Sequence, residues 1–412
     1  MMKKVSFIHA ADLHLDSPFK GLAHVPQAVF HDIRESTFSA LDHLVQVAIE
    51  KKVDFVLLVG DLFDHEEQSL KAQIRLRSAC EQLQKQQINV YMSHGNHDYI
   101  NGNIHPVSYP DNVFIFPDEK IRHFTYPEDE HPLAAIYGFS YENQAVTMNK
   151  AKDYNLSNRN IPFHIATLHG SIHNNKDHDP YAPFKVNDLT EDDFDYWALG
   201  HIHKRQILKQ SPPILYPGNT QGRHHGESGD KGCYHVVLTE SGCDYSFIPL
   251  HSIRFESMTV DVSHSENIYG LESMLRDQLK NVRQRTTPIL IRLHLVSADA
   301  ELYMWEQNKY IDEIIDVLNE AHMHEKQWIY IYDVKTSLHE KISVHQTIKN
   351  DHFISELSTQ FEKSSIHPLL TDLYHHRQGR KFLEQLTTEE EQTIKEKAEQ
   401  LLISELLKGK GE

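Results

Sequence analysis

The sequence is poor in cysteine and has no long apolar run. Its 412 residues include three cysteines, Cys80, Cys233 and Cys243, which are scattered and odd in number. This arrangement excludes a disulfide framework and a cysteine-based zinc site, and it favours a reducing compartment. No run approaches the roughly 18 apolar residues of a membrane span, which excludes a transmembrane protein. The first apolar stretch breaks at Asp12, which predicts a β-strand rather than a signal peptide. We therefore expect a cytoplasmic protein with no membrane partner.

Basic residues are also in deficit. The chain has 41 lysines and arginines against 59 aspartates and glutamates, a formal net charge of −18 with histidine neutral. Nucleic-acid binding depends on neutralising phosphates with basic side chains. This excess of acidic residues therefore excludes a protein that binds DNA over its whole surface. Histidine, in contrast, is abundant, and its 31 copies supply many candidate metal ligands and proton carriers.

Short apolar runs alternate with helical patterns over the first 250 residues. Phe38, Leu41, Val45 and Ala48 recur at helical spacing and predict one apolar helix face. Strands that alternate with helices indicate a layered α/β sheet, and the length predicts two to three domains. The runs predicted to form buried strands are residues 53–59, 88–92, 164–168 and 196–199.

The order of elements changes after residue 230. Residues 231–250 are predicted to form successive strands of a second, antiparallel half. Strand patterns at 254–260, 288–296 and 328–334 then alternate with helical patterns at 268–282 and 304–321. Beyond about residue 348 only helical patterns occur, including an apolar stripe at Ile394, Ala398, Leu401 and Leu402. The predicted domains are residues 1–252, a small α/β domain at 253–345 and a helical region at 346–412.

Five short polar segments each follow an apolar, strand-like run. Chemistry in α/β sheets gathers at the carboxyl ends of strands, so these segments are expected to lie together. The glycines beside the polar residues allow sharp turns of the backbone. The segments are Asp12-Leu13-His14, Gly60-Asp61-Leu62-Phe63-Asp64, Gly95-Asn96-His97-Asp98, His169-Gly170 and Gly200-His201-Ile202-His203.

The five segments supply seven candidate metal ligands. One metal needs three or four protein ligands, so seven predict two metals that share a bridging carboxylate, a site suited to displacement at phosphorus. A nitrogen and oxygen set without thiolate suits Mn²⁺, which we expect first, or Fe²⁺ or Zn²⁺. Each segment alone is typical of an ordinary loop or turn, whereas the five together in this order are not. The ligands are Asp12, His14, Asp61, Asn96, His169, His201 and His203.

The ordered set Asp-x-His, Gly-Asp-x-x-Asp, Gly-Asn-His-Asp, His and Gly-His-x-His resembles the motifs of the calcineurin-like metallophosphoesterase superfamily. The stretch from Tyr216 to Arg223, with Gly226-Glu227 and Lys231-Gly232, is similar to a segment of SbcD-type DNA repair nucleases. The opening residues 7–22 look closest to the YhaO branch. The resemblance implies the α/β class: a four-layer α-β-β-α sandwich with a small α/β capping domain and a helical C-terminal tail.

The resemblance also implies roles for individual residues. His97 would stabilise the transition state or protonate the leaving oxygen, and it would be paired with Asp98. Asp61 would bridge the two metals. The ligands implied for the first metal are Asp12, His14 and His203, and those implied for the second are Asn96, His169 and His201.

The activity implied by the resemblance is metal-dependent cleavage of DNA, as exonuclease or endonuclease, by the nuclease subunit of an SbcCD-like repair complex. The implied partners are DNA, a second copy of the chain, and an SMC-like coiled-coil ATPase bound by the C-terminal helices. Four basic residues are predicted to contact DNA, three of them on one helix face of the capping domain, for which a merely solvated face is the alternative. They are Arg276, Lys280 and Arg283 on that helix, and Arg223 near the metal motifs.

Several alternatives stay open at the level of sequence. Asp64 stands where some nuclease relatives carry a histidine that steers the DNA strand, which leaves the preferred DNA end open. The same core also serves nucleotide phosphodiesterases and phosphoprotein phosphatases, although a cap and tail favour a larger substrate. A scaffold or regulator of an ATPase is a third reading. The C-terminal stripe is equally typical of a self-packed hairpin.

Overall fold

The computed structural model describes two compact units. The first comprises Met1–Ser257, Thr286–Ile291 and Met323–Tyr332, and the second comprises Met258–Arg285, Arg292–His322 and Asp333–Glu412. The predicted capping domain therefore contains residues of both units, and its independence as a domain stays a prediction. The described residues are 3–338 apart from 20, 23, 65–68, 103–106, 128–129, 174–180, 191–192, 283–286 and 300, then 352–366 and the single positions 368, 370, 387, 391, 392, 394, 395, 398 and 402.

Fifteen strands and six α-helices are described in these residues. The strands are β1 (Lys4–Ala11), β2 (Phe55–Val59), β3 (Asn89–Ser93), β4 (Val113–Ile115), β5 (Arg122–Tyr126), β6 (Ala134–Gly138), β7 (Phe163–His169), β8 (Tyr196–Gly200), β9 (Gln206–Gln210), β10 (Pro213–Tyr216), β11 (Gly232–Thr239), β12 (Gly242–Pro249), β13 (Arg254–Asp261), β14 (Ile289–Ser297) and β15 (Ile329–Leu338). The helices are α1 (Gln27–Lys51), α2 (Leu70–Gln84), α3 (Ile268–Val282), α4 (Glu301–Gln307), α5 (Tyr310–His322) and α6 (His352–Lys363). None of the described helices is long and apolar enough to cross a bilayer.

Two six-stranded sheets pack face to face in the first unit. Their strand orders are β12-β11-β1-β2-β3-β4 and β5-β6-β7-β8-β10-β9, and a separate sheet has the order β13-β14-β15. Apolar side chains from both six-stranded sheets form the core between them. Phe7 of β1, for example, stacks on Phe55 of β2 and meets the edge of Tyr196 of β8 at 5.3 Å. The α/β layered class predicted from the sequence is confirmed.

The outer faces of the two sheets are covered differently. The first is covered by α1 and α2, and Phe38, Leu41, Val45 and Ala48 of α1 are buried there, as their spacing predicted. The hydroxyl of Ser69 caps α2 by accepting a hydrogen bond from the Ala72 N–H. The second sheet is covered by loops and by the short 3₁₀ helices Lys150–Asp153 and Val186–Thr190.

Two local predictions differ from the structure. The single helix predicted at residues 304–321 is two helices, α4 and α5, because Lys309 between them adopts a left-handed backbone conformation (φ 60°) that an α-helix does not accommodate. Residues 231–250 do form an antiparallel hairpin, β11 and β12, but it extends the first sheet instead of building a second half. β11 pairs antiparallel with β1, so that Lys4 faces Thr239.

A buried histidine links the two sheets and should make folding sensitive to acid. His9 of β1 places Nδ1 2.9 Å from the Tyr196 hydroxyl and Nε2 3.0 Å from the carbonyl oxygen of Leu199, both on β8. A carbonyl can only accept, so Nε2 carries the proton and donates, and the tyrosine hydroxyl donates to Nδ1. Burial lowers the pKa of His9 from 6.5 to about 3. The folded protein therefore holds this imidazole neutral.

We expect stability to fall as the pH drops from 7 to 4. The unfolded chain binds a proton at His9 below about pH 6.5, whereas the folded chain does not until about pH 3, so acid favours unfolding. Over this range His9 alone should lower the free energy of unfolding by about 3 kcal/mol. Urea denaturation in a chelating buffer at both pH values, on the wild type and on His9→Gln, measures the difference. If the free energy of unfolding fell equally in the wild type and in His9→Gln, His9 would not be the source of the acid sensitivity.

Candidate active site

All five polar segments of the sequence meet at one edge of the stacked sheets. Asp12 follows β1, Asp61 follows β2, and the segment from Gly95 to Asp98 follows β3, and these three strands are parallel neighbours. In the second sheet, β7 ends at His169 and β8 ends immediately before His201, and these strands are also parallel. The carboxyl ends of both sheets therefore deliver their polar residues to the same place.

Three of the four residues in the first group of candidate ligands are buried, and the side chain of the fourth, His203, is 24% exposed. The Nε2 atoms of His14 and His203 lie 3.0 Å apart. His14 Nε2 is also 3.9 Å from Oδ2 of Asp61. One ligand atom from each member lies within 4.8 Å of the others, and the members are Asp12, His14, Asp61 and His203.

The second group shares Asp61 with the first. Nε2 of His169 lies 3.3 Å from Asp61 Oδ2 and 3.1 Å from Asn96 Oδ1. Nδ1 of His201 lies 3.1 Å from the same Asn96 oxygen. The structure thus brings the seven predicted ligands together, with one carboxylate common to both groups. The second group consists of Asp61, His169 and His201, with Asn96 beside them.

The backbone at the site is strained where it presents the ligands. Four of the seven, Asp12 (φ 53°), His14 (φ 43°), Asp61 (φ 49°) and His201 (φ 94°), lie in the left-handed region that side chains disfavour. Such conformations cost on the order of 1–3 kcal/mol each and persist where the surrounding structure enforces them. Here backbone hydrogen bonds do so: the Asp12 N–H donates to the Gly60 carbonyl, and the His14 N–H donates to the Asp61 carbonyl.

Two glycines are required because the ligands approach the backbone closely. A Cβ atom built on Gly60 would collide with the imidazole of His169, and one built on Gly95 would collide with the Asp61 carboxylate. Gly60 also has φ 71°, which only glycine adopts without strain.

The pKa values of Asp61, His169 and Asp12 are shifted from their ordinary values. Burial by itself raises the pKa of Asp61, but His169, His14 and His97 outweigh it and hold this pKa well below its ordinary value. Burial lowers the pKa of His169, yet Asp61 and Asp12 together raise it to about 9. Burial raises the pKa of Asp12 in spite of His203 and His169. These directions show that the buried carboxylates require positive charge beside them.

The donor set fits two divalent cations. Nδ1 of His203 is 2.6 Å from a carboxylate oxygen of Glu227, which assigns the proton to Nδ1 and leaves the Nε2 lone pair free. Burial and Arg223 lower the pKa of His14 to about 3, and its Nδ1 faces Asp64 at 3.3 Å, which favours the same tautomer. With the proton of each imidazole on Nδ1, two lone pairs face each other at 3.0 Å, an arrangement that is repulsive without a cation.

The two predicted catalytic residues have different surroundings. The His97 N–H donates to Asp61 Oδ1 at 3.0 Å, and His97 Nδ1 lies 3.0 Å from the carbonyl oxygen of Asp64. The fully buried Asp98 accepts hydrogen bonds from the N–H groups of Leu62 (2.9 Å) and Gly95 (2.6 Å). The expected pairing of His97 with Asp98 is therefore wrong: Asp98 points inward and ties the second and third segments together.

Two carboxylates at the site were not predicted as functional. Asp64 contacts His14, and Glu227 contacts His203, each at the imidazole nitrogen opposite the candidate metal position. Glu227 lies in the Gly226-Glu227 pair of the sequence pattern, which was therefore a usable signal. Arg223, predicted to bind substrate, pairs with Asp64, places Nη2 3.6 Å from Glu227 Oε1, and is only 14% exposed.

The predicted DNA contacts of the capping domain belong to the second unit. Nε of Arg276 lies 2.9 Å from Glu272, and Nζ of Lys280 lies 2.8 Å from Asp277 on the same helix, α3. Their charges are thus locally balanced by acidic neighbours on α3. Arg283 lies outside the described residues.

Comparison with known proteins agrees with this geometry. Residues 5–205 match the family described as calcineurin-like phosphoesterase. Over 408 residues, 98% of this chain and 99% of the relative, the sequence is 38% identical to "Uncharacterized metallophosphoesterase YhaO" of Bacillus subtilis. It is 27% identical over 253 residues to the "DNA double-strand break repair protein Mre11" of Methanocaldococcus jannaschii, covering 59% of this chain and 65% of that protein. The Mre11 protein of Sulfurisphaera tokodaii is 26% identical over 302 residues, which cover 69% of this chain and 70% of that protein.

Proposed function

Because this chain belongs to the calcineurin-like phosphoesterase family, we propose that it is a metal-dependent phosphodiesterase that cleaves DNA. The observation that carries the proposal is the position of Asp61, which is common to two adjoining groups of ligands. Two cations sharing one carboxylate suit an in-line displacement at phosphorus. DNA as the substrate rests on the similarity to relatives named for DNA double-strand break repair.

The residues that would hold the two cations are those of the two groups. Asp12, His14 and His203 would hold one, Asn96, His169 and His201 would hold the other, and Asp61 would bridge them. When bound, two divalent ions supply positive charge to the phosphoryl oxygens and lower the pKa of bound water. Mn²⁺ is the ion that we propose, with Fe²⁺ and Zn²⁺ as alternatives, since the ligands are nitrogen and oxygen atoms only.

His97 is suited to proton transfer to a leaving oxygen. The carbonyl of Asp64 accepts from Nδ1, which fixes the tautomer and leaves Nε2 to exchange a proton. The His97 N–H donates to Asp61, so this catalytic residue is fixed to the bridging carboxylate through its own backbone. Asp98 holds the same turn by accepting from the Gly95 N–H. In this proposal Asp98 positions the turn, and His97 meets the phosphate.

We further propose that the chain is the SbcD-type nuclease subunit of an SbcCD-like complex, active as a homodimer. Phe353 on α6 is 62% exposed, and Ile394 and Leu402 in the tail are partly exposed, which supports docking of a coiled-coil ATPase there. Arg276 and Lys280 remain proposed DNA contacts. Their pairs on α3 are exposed and contribute about 0–1 kcal/mol each, so a DNA phosphate can replace the carboxylate partner.

Purified protein with Mn²⁺ should cleave linear duplex DNA, and His97→Ala should reduce the rate by about 10²–10⁴-fold without loss of metal. The reason is that His97 transfers a proton and is not a member of the two groups that share Asp61, although it lies with His14 and Asp64 in a third cluster. Cleavage of radiolabelled DNA and calorimetric titration with Mn²⁺ are the measurements. His31→Ala, an exposed histidine of α1, is the matched control and should match the wild type.

The same assay separates the alternative substrates. Hydrolysis of bis-(nitrophenyl) phosphate without any cleavage of duplex or single-stranded DNA would favour a phosphodiesterase acting on nucleotides. Unchanged DNA cleavage by His97→Ala would reject the proposed catalytic role. Light scattering tests the homodimer. Co-purification with a coiled-coil ATPase that is lost on truncation after about residue 345 would place the docking region in the tail.

A further inference from the structure

One arginine connects the two carboxylates that orient the histidines of the first ligand group. Arg223 Nη1 forms an ion pair with Asp64, and Arg223 Nη2 lies 3.6 Å from Glu227 Oε1. The Arg223 N–H also donates to Glu227 Oε2 at 2.7 Å. The arginine is thus linked to both carboxylates by its side chain and to one of them by its backbone as well.

Each carboxylate lies beside the Nδ1 atom of one histidine, Glu227 as a hydrogen-bond partner of His203 and Asp64 as a looser charged contact of His14. Asp64 Oδ1 lies 3.3 Å from Nδ1 of His14, and Glu227 Oε1 lies 2.6 Å from Nδ1 of His203. In both histidines the other nitrogen, Nε2, faces the candidate metal position. A carboxylate behind a metal-bound imidazole fixes its tautomer and ring orientation and makes the ring nitrogen a better ligand.

The network is built from buried groups. The side chains of Asp64, Glu227 and Arg223 are 10%, 6% and 14% exposed, so little solvent screens their charges. Two carboxylates that contact the same arginine repel each other, and the planar guanidinium, which has donors on both sides, is suited to bridge them. Asn219 adds a hydrogen bond to Glu227 Oε2 at 2.9 Å, which fixes the side of the network that faces His203.

The second ligand group has different supports. His169 Nδ1 lies 3.1 Å from the carbonyl oxygen of Val59, and the Tyr141 hydroxyl donates to the carbonyl of His169 itself. These supports come from the backbone of β2 and from the loop that follows β6, and Arg223 is not among them. A change at Arg223 should therefore alter the first ligand group and leave the second unchanged.

We propose that Arg223 is a positioning residue. Through Asp64 and Glu227 it fixes the orientation of the His14 and His203 imidazoles, and it thereby sets the affinity of one of the two metal positions. This inference rests on the proposed two-metal function. It assigns to Arg223 a role different from phosphate contact: its charge serves the two carboxylates, and its effect on catalysis passes through the imidazoles.

Titration of the metal-free protein with Mn²⁺ tests the inference, by calorimetry for affinities and by electron paramagnetic resonance for pairing of the ions. The wild type should bind two ions and show an exchange-coupled spectrum. Arg223→Met should weaken one binding step by about 10–100-fold and leave the other unchanged. At intermediate Mn²⁺ concentration its spectrum should be that of an isolated ion. Asp64→Asn, which is nearly isosteric, should weaken the same step and serves if Arg223→Met does not fold.

The matched control is Arg254→Met. Arg254 is likewise largely buried and paired with two carboxylates, Asp230 at 2.7 Å and Glu256, but it contacts neither ligand group. The Arg254→Met protein should bind both ions as the wild type does. If Arg223→Met weakened both binding steps equally, or weakened neither, the inference would be overturned. Binding of two ions by the wild type would in that case still uphold the proposed metal centre. A wild type that binds fewer than two ions would overturn the metal centre and the inference with it.

Discussion

Replacement of Asp61 by asparagine should abolish phosphodiesterase activity and weaken both metal-binding steps. Asp61 is the one residue common to the two ligand groups, and its Oδ2 lies 3.3 Å from His169 and 3.9 Å from His14. Asparagine keeps the shape of the side chain but removes the charge that a bridging ligand supplies. We expect a loss of rate of at least about 1,000-fold, comparable to removal of a main electrostatic element of an active site.

The control for Asp61→Asn is a half-buried carboxylate that accepts a hydrogen bond outside the ligand groups. Asp195, which accepts from the His164 N–H at 2.7 Å, meets this condition, so Asp195→Asn should keep both ions and the activity. Circular dichroism confirms the fold of each variant. An Asp61→Asn protein that kept either binding step at full strength would show that the two groups do not share this residue.

The addition of one methyl group at Gly95 should have an effect nearly as large. A Cβ atom there would collide with Asp61 Oδ1 and lie 2.7 Å from His169 Nε2, so alanine must displace ligands from both groups. We expect at least a 100-fold loss of activity and weaker binding of both ions. Overpacking of this kind also costs about 1–3 kcal/mol of stability, which thermal unfolding measures.

Gly270→Ala is the matched control for the change at Gly95. A Cβ atom at Gly270, near the start of α3, would meet no atom closer than 3.3 Å, the hydroxyl oxygen of Ser265. This variant should keep full activity and unchanged metal binding. If Gly95→Ala behaved in the same way, the close approach of Gly95, in the loop after β3, to Asp61 and His169 would not be needed for catalysis.

The negative net charge of the chain restricts where DNA can bind. The net charge of −18 argues against broad contact with DNA. In the proposed function the two cations reverse the sign where the phosphodiester lies. The basic residues of α3 add little net charge, because Arg276 and Lys280 are paired with acidic neighbours one turn away. DNA binding should therefore depend on the metal centre and fall steeply when the metals are removed by a chelator.

The α/β class and the identity of the clustered ligands could be predicted from the sequence. Buried parallel strands are continuous apolar runs, and a polar residue directly after such a run is placed at the edge of the sheet. Asp12, Asp61 and His201 were predicted on this ground and lie together in the structure. The apolar face of α1 followed from helical spacing, since burial along one side of a helix recurs every three to four residues.

Other features depend on contacts between distant segments. Asp64 and Arg223 are separated by 159 positions and form an ion pair. Neither residue stands out in sequence as support for a histidine. The inward direction of Asp98 likewise depends on the Leu62 N–H, which lies on a different loop. Lys309 divides a continuous helical pattern in two because of its backbone conformation, which the apolar spacing does not report.

The sequence by itself determined which residue types reach the edge of the sheets, because strand period and turn chemistry are local properties of the chain. Only the tertiary structure decided which of these residues lie in one group, which carboxylate lies beside which imidazole, and which arginine contacts both carboxylates. The physical reason is the range of the interactions. Coordination and hydrogen bonding require distances of about 2–3 Å, and the folded core alone sets such distances between residues that are far apart in the chain.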